Sequence, residues 1–168
     1  SEGSKDTIVV TNGATLTIEG NGTIQGSEYG VYAKNGNVVI KGGSITAGTT
    51  AVQVNVGTAD SEGGVFSNTD ATDTRYVINC IDANWKNGTA KVNITGGTFH
   101  NFNPAANVAE GAGTDFVNDG YQVVEPSADV YTVISDSSVI AADDAAVEAA
   151  LDDSAIDTIY LNEGEYTI

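Results

Sequence analysis

A glycine pair returns at one phase of a period just above 20 residues, and this limits the fold more than any other feature of the chain. The phrase apolar, any, apolar, any, Gly-Gly, any, apolar reads Val38-Val39-Ile40-Lys41-Gly42-Gly43-Ser44-Ile45 and again Val92-Asn93-Ile94-Thr95-Gly96-Gly97-Thr98-Phe99. A degenerate copy runs from Ala59 to Phe66, and a looser first copy from Leu16 to Ile24 holds one residue between its glycines. A second phrase alternates with these: Gly30-Val31-Tyr32-Ala33-Lys34-Asn35-Gly36, then Ala51-Val52-Gln53-Val54-Asn55-Val56-Gly57, then Tyr76-Val77-Ile78-Asn79 running on to Gly88. Gly20 to Gly42 is 22 residues, and Gly42 to Gly63 and Gly36 to Gly57 are 21 each. The step from Gly63 to Gly96 is 33, so about a dozen residues are inserted between Asn68 and Gly88.

Such a period, carrying two or three short alternating strands parted by glycine or Asn-Gly corners, predicts one coil of a parallel β-solenoid. A single coil cannot bury its inward side chains. Stacking coils at about 4.8 Å buries a continuous column and pairs every strand. The corner glycines, with Asn12, Asn35 and Asn87 before glycine, supply the positive φ that corners need. An antiparallel sandwich would read Asn-Gly as hairpin turns, but the constant phase of Gly-Gly favours the solenoid. Composition agrees: 19 Val, 13 Ile and 19 Thr against 3 Leu favour strands and exclude a helical bundle.

The copies resemble right-handed parallel β-helix proteins of the pectate-lyase-like superfamily, and especially the degenerate coils of phage tail, fibre and spike proteins and of gut-bacterial surface proteins. The stretch from Gly96 to Pro104, with Phe116–Val124 and Val130–Val133, resembles the closing coil and terminal hairpin of such modules. The expected fold is therefore all-β: a right-handed parallel β-helix with a capping hairpin, then a short C-terminal helix and strands. Residues 1–104 are assigned to the coils, 105–134 to the closing segment and hairpin, and 135–168 to a linker, a helix and the start of a second β-helix or a cap. In that tail, Ala141–Leu151 reads as a helix N-capped at Asp143 or Asp144 with Val147 and Leu151 on one face. Strands are expected at Asp157–Leu161 and Gly164–Ile168.

Charge removes several functions. Six Lys plus Arg face 23 Asp plus Glu, a formal net charge of −17, which leaves too little positive charge for nucleic acid or anionic lipid. The imbalance lies in the second part, since residues 101–168 hold 14 acids and no base. That stretch favours cations, a basic partner or simply solubility. No apolar run approaches a membrane span. One cysteine, Cys80, excludes an internal disulfide or a CxxC metal site. With no methionine, Ser1 is not a native translation start, and the chain is expected to be a processed product or an excised piece.

No catalytic motif stands out. The resemblance implies that lyases of this fold hold Ca²⁺ with carboxylates and use an Arg or Lys base, for which the insertion offers Asp70, Asp73, Arg75, Asp82 and Lys86. These are read mainly as solvated loop charges. Glycosidases need a carboxylate pair at set separation, and 23 acids give no means of choosing one. His100 has no G-x-S-x-G partner and is read as a surface or corner residue. Cys80 is read as a small inward core residue, and Asn79 as a candidate for an asparagine ladder inside the coil.

Trp85, the single tryptophan, is the side chain with most to offer: a stacking surface for sugar, a subunit contact, or a plug on the inserted loop. Tyr29, Tyr32 and Tyr76 are grouped with it as glycan or subunit contacts. No cofactor is expected, and the sequence does not decide a metal site. The favoured function is a non-catalytic structural or adhesive module of a phage virion or bacterial surface protein, located on a virion or outside the cell. Its expected partners are its own copies as a homotrimer, other virion or surface subunits, or a cell-surface glycan. A polysaccharide-degrading enzyme of tailspike type and a stand-alone glycan-binding module are the alternatives.

Overall fold

The computed structural model describes residues 6–70 and 76–167. Three strands make one coil: β1 (Asp6–Val10), β2 (Thr15–Ile18) and β3 (Thr23–Gly26) in the first, then β4 (Tyr29–Ala33), β5 (Asn37–Ile40) and β6 (Ser44–Ala47) in the second. In the third coil β7 (Thr50–Val54) is followed by β8 (Gly57–Asn68), which bends at Gly63-Gly64 and pairs first with β5 and then with β6. The fourth holds β9 (Ile78–Cys80), the single-turn helix α1 (Asp82–Lys86) and β10 (Ala90–His100). All four coils are joined by parallel pairing, one sheet running β1-β4-β7-β9 and the other through β2, β5, β8 and β10. The chain is thus an all-β parallel solenoid, as the repeat predicts.

Register puts like on like. Ile24, Ile45, Phe66 and Phe99 form one inward column, and Ile8, Val31, Val52 and Ile78 form another. The Phe66 and Phe99 rings stack at 4.8 Å with 9° between their planes, an offset contact worth about 1 kcal/mol beyond area burial. One column carries a polar member: Ser61 lies between Ile40 and Ile94, buried, and its hydroxyl donates to the Gly96 carbonyl at 2.8 Å. That bond meets the cost of placing a hydroxyl in the core.

The glycine pairs are where adjacent coils come closest. A Cβ on Gly42 would sit 2.7 Å from the Gly20 carbonyl oxygen, and one on Gly63 would sit 2.7 Å from that of Lys41. The second glycines, Gly43, Gly64 and Gly97, also hold positive φ, at 80°, 93° and 115°. Both demands, left-handed backbone and no side chain, fall on the same corner.

Beyond the fourth coil the parallel ladders shrink to a single parallel bridge, Ile94 to Val117. Ile94 N–H donates to the Phe116 carbonyl and Asn118 N–H to that of Ile94, so residues 116–118 lie along the first half of β10. The second half pairs antiparallel with β12 (Val130–Ser135), which pairs with β11 (Tyr121–Ser127) as a hairpin. The sequence expectation of a closing hairpin therefore agrees with the structure. Pro126 in β11 lacks an N–H and Glu125 precedes it, two features that discourage further pairing at a sheet edge.

Beyond the hairpin, β13 (Ser138–Ala141), helix α2 (Asp144–Asp152) and β14 (Thr158–Leu161) form a separate two-stranded parallel pair with its crossover helix. Asp143 caps α2, its carboxylate accepting from Ala146 N–H at 2.8 Å. Gln122 ties this unit to the hairpin by donating towards the Ser135 and Ser138 carbonyls.

Three expectations are corrected. Leu151 does not share the buried face of α2: it is 63% exposed, and Val147 with Ala150 buries instead. That spacing of three residues selects a narrow strip facing β13. Residues 164–167 form no strand; Tyr166 instead donates its hydroxyl to the Ala141 carbonyl at 3.1 Å, and Thr167 N–H donates to Asp144. Asn79 lies outside the coil, because Ile78 and Cys80 on either side of it face the core.

Gly43→Ala should lower unfolding stability by about 2 kcal/mol or more, from positive φ together with a Cβ 2.9 Å from the Gly22 carbonyl. Gly22→Ala, where nothing lies within 4 Å, should change it by no more than about 0.5 kcal/mol. Urea unfolding of both variants checks the contrast.

Candidate functional site

The inserted segment between β8 and β10 carries most of the residues singled out in the sequence. Asp73 and Arg75 lie outside the described residues. Asn84, within α1, donates its amide to the Asn55 carbonyl and to Asn55 Oδ1, both at 2.8 Å, which pins the helix to the coil below. Trp85 follows, and its ring meets Phe116 edge-on with centroids 5.3 Å apart and planes at 85°. Phe116 in turn neighbours Phe102, and Phe102 neighbours Phe99. Trp85 thus extends the core's aromatic column sideways and closes its end, partly buried against the hydrophobic core.

Tyr29 and Tyr32 lie two coils away on β4, their rings 5.6 Å apart at 48° to each other. Tyr76 just precedes β9 and packs partly buried against the core. The structure therefore pairs Tyr29 with Tyr32 but sets Trp85 against Phe116 instead of beside that pair. His100 ends β10 opposite Val130 and is partly buried.

A polar run occupies the outer face of the first sheet. Tyr32, Gln53 and Asn79 follow one another in register, and the Asn79 amide donates to Gln53 Oε1 at 3.0 Å. Gln53 is only 3% exposed, although it faces away from the core. At the end of this run Cys80 N–H donates to Glu110 Oε1, so a carboxylate terminates the open edge of β9. Among the described residues Glu110 Oε2, Asn79 Oδ1 and Gln53 Nε2 have no hydrogen-bond partner.

Burial raises the Glu110 pKa and the Asp82 charge adds to this, while the Cys80 N–H and Lys86 act in the opposite direction. The Cys80 thiol is pushed up to about 12, first by burial and then by the Glu110 charge. A thiol so placed is almost entirely protonated near neutral pH and is a poor nucleophile. No group of three His, Cys, Asp or Glu side chains that could hold a metal ion occurs among the described residues.

A cleft of about 370 Å³ lies where the solenoid's last bend meets the hairpin and the C-terminal unit. Gly96 and Gly97 line it from β10, Tyr121 and Thr132 from the hairpin, and Tyr160 and Asn162 from the end of β14. Glu62, at the bend of β8, joins them; its carboxylate is 3.9 Å from Lys41 Nζ. Tyr121 is 36% exposed and Tyr160 49%. The sequence pass did not find this site, because its tyrosines stand 39 residues apart on strands of different sheets. The only available signal was an aromatic at an outward position of each strand.

Comparison with protein-family models, with curated proteins and with solved structures finds no match. Among the described residues no helix is long and apolar enough to cross a membrane.

Trp85→Ala should cost about 2–3 kcal/mol, the lower range for losing a large aromatic because the ring is only partly buried; thermal unfolding measures it. Since the folded Glu110 pKa is raised, its protonated form favours the native state. That contribution is fully present below the ordinary carboxylate value of about 4.3 and is lost as pH rises through the raised one. Glu110→Gln keeps an acceptor for Cys80 N–H and should flatten this part of the stability profile, read by denaturation at stepped pH.

Proposed function

We propose that this chain is a non-catalytic structural or adhesive module of a phage fibre, spike or capsid-attached protein, or of a bacterial surface protein, and that it works on a virion or cell surface. One observation carries the reading: the buried thiol and the half-buried carboxylate that meet at β9 serve the fold. Cys80 is sealed in the core, and Glu110 holds the edge of β9. Neither lines the cleft between the hairpin and β14, where a substrate would have to meet an acid, a base or a nucleophile for catalysis.

The closed stack suits a rigid spacer. Its backbone groups are spent between coils, and its flanks present Thr, Tyr and Asn side chains at a fixed repeat. The finer kinship, with right-handed helices of the pectate-lyase-like superfamily, belongs to the same proposal and rests on the glycine-pair phrase. A homotrimer is the expected assembly, with the solenoid flank as the self-complementary surface. The observation that favours a glycan-binding reading is the cleft between the hairpin and β14.

Light scattering with size-exclusion chromatography should return about three times 17.2 kDa. A mass of 17.2 kDa across the accessible concentration range would remove the trimer from the proposal.

A further inference from the structure

We infer that the cleft between the last solenoid bend, the hairpin and β14 binds an uncharged saccharide. The inference rests on the adhesive reading and gives it a ligand class and a site distinct from Trp85. Three properties of the cleft point the same way.

Tyr121 and Tyr160 are the exposed large aromatic rings among the described residues, whereas the phenylalanines are buried and the other tyrosines and Trp85 partly so. A phenol ring offers an apolar face for the C–H side of a pyranose and a hydroxyl for its rim. Around them stand groups that exchange hydrogen bonds with sugar hydroxyls: the Asn162 amide, the Glu62 carboxylate and the Thr132 hydroxyl, which already shares one hydrogen bond with Thr98 Oγ1 at 3.2 Å. Asn162 is exposed, and no hydrogen bond engages its side chain among the described residues. The volume, about 370 Å³, falls in the range of small-molecule sites.

Charge then selects among sugars. The hairpin and C-terminal unit belong to residues 101–168, with 14 acids and no base. The one ionisable carboxylate of the cleft, Glu62, has the same sign. Lys41 Nζ, 3.9 Å from the Glu62 carboxylate, offsets that charge, so what an acidic sugar meets is the field of the 14 acids of residues 101–168, a cost an uncharged sugar does not pay.

The test uses the full chain on an immobilised panel of glucose, galactose, mannose and N-acetylglucosamine oligomers, with galacturonate oligomers and a lysine peptide alongside. Binding to at least one uncharged oligomer and none to galacturonate is expected. Tyr121→Ala and Tyr160→Ala should each weaken it about tenfold or more, as loss of a central aromatic contact does, while Leu151→Ala, on an exposed helix face away from the cleft, leaves it unchanged. Amide shifts at Gly96 and Gly97 on adding the bound oligomer give a second readout that needs no variant to fold. Absence of binding to every uncharged oligomer, preference for galacturonate or for the lysine peptide, or binding that survives Tyr160→Ala with Gly96 and Gly97 unmoved overturns the inference. Release of reducing ends from a bound oligomer would instead overturn the non-catalytic reading and leave the cleft assignment standing, so the two failures are separable.

Discussion

Everything in this molecule depends on how closely one coil's backbone can lie on the next at the glycine pairs. At Gly42 and Gly63 the carbonyl of the coil below occupies the space where a Cβ would be, and at Gly43 and Gly64 the chain turns through positive φ. Without that approach the two halves of β8 could not pair with β5 and β6 at once. The inward columns, the stacked Phe66 and Phe99 and the Ser61 bond to Gly96 all follow from a register set at these corners. Hydrophobic burial drives the stacking, but glycine fixes where it happens.

This also explains how much could be read from the sequence. A repeated backbone demand leaves a repeated residue, so the coils, their phase and the inserted segment were legible from Gly-Gly alone. The inward placement of Cys80 followed from alternation with Ile78. What escaped were features decided by single packing events. Leu151 has the right spacing to share a face with Val147, but the helix is turned so that Ala150 is buried beside Val147 and Leu151 is left exposed. Tyr166 shares its one hydroxyl hydrogen between the Ala141 and Asn162 carbonyls, which ties the last residues down without a strand. The cleft was invisible because its walls come from β10, the hairpin and β14, which no local pattern links.

The two charge regimes match two structural regimes. The solenoid, with nearly balanced charge, spends its residues on stacking. The acidic remainder builds the closing hairpin and a small β-α-β unit whose helix ends on Asp152 and Asp153 with no base in the last turn. Such a helix C-terminus is not electrostatically favoured. Trp85 and Phe116 sit at the join between regimes, where the apolar column must end.

The hairpin has one more consequence. In a stack of like coils, a strand that slips by one residue turns its whole inward set outward, and parallel neighbours can adopt the same error in turn. Here β10 hands over to an antiparallel partner, and β13 with β14 begins a new sheet with a register of its own. A misalignment in the first four coils therefore has no template through which to reach the C-terminal unit. The turn of strand direction thus separates the register of the coils from that of the C-terminal pair.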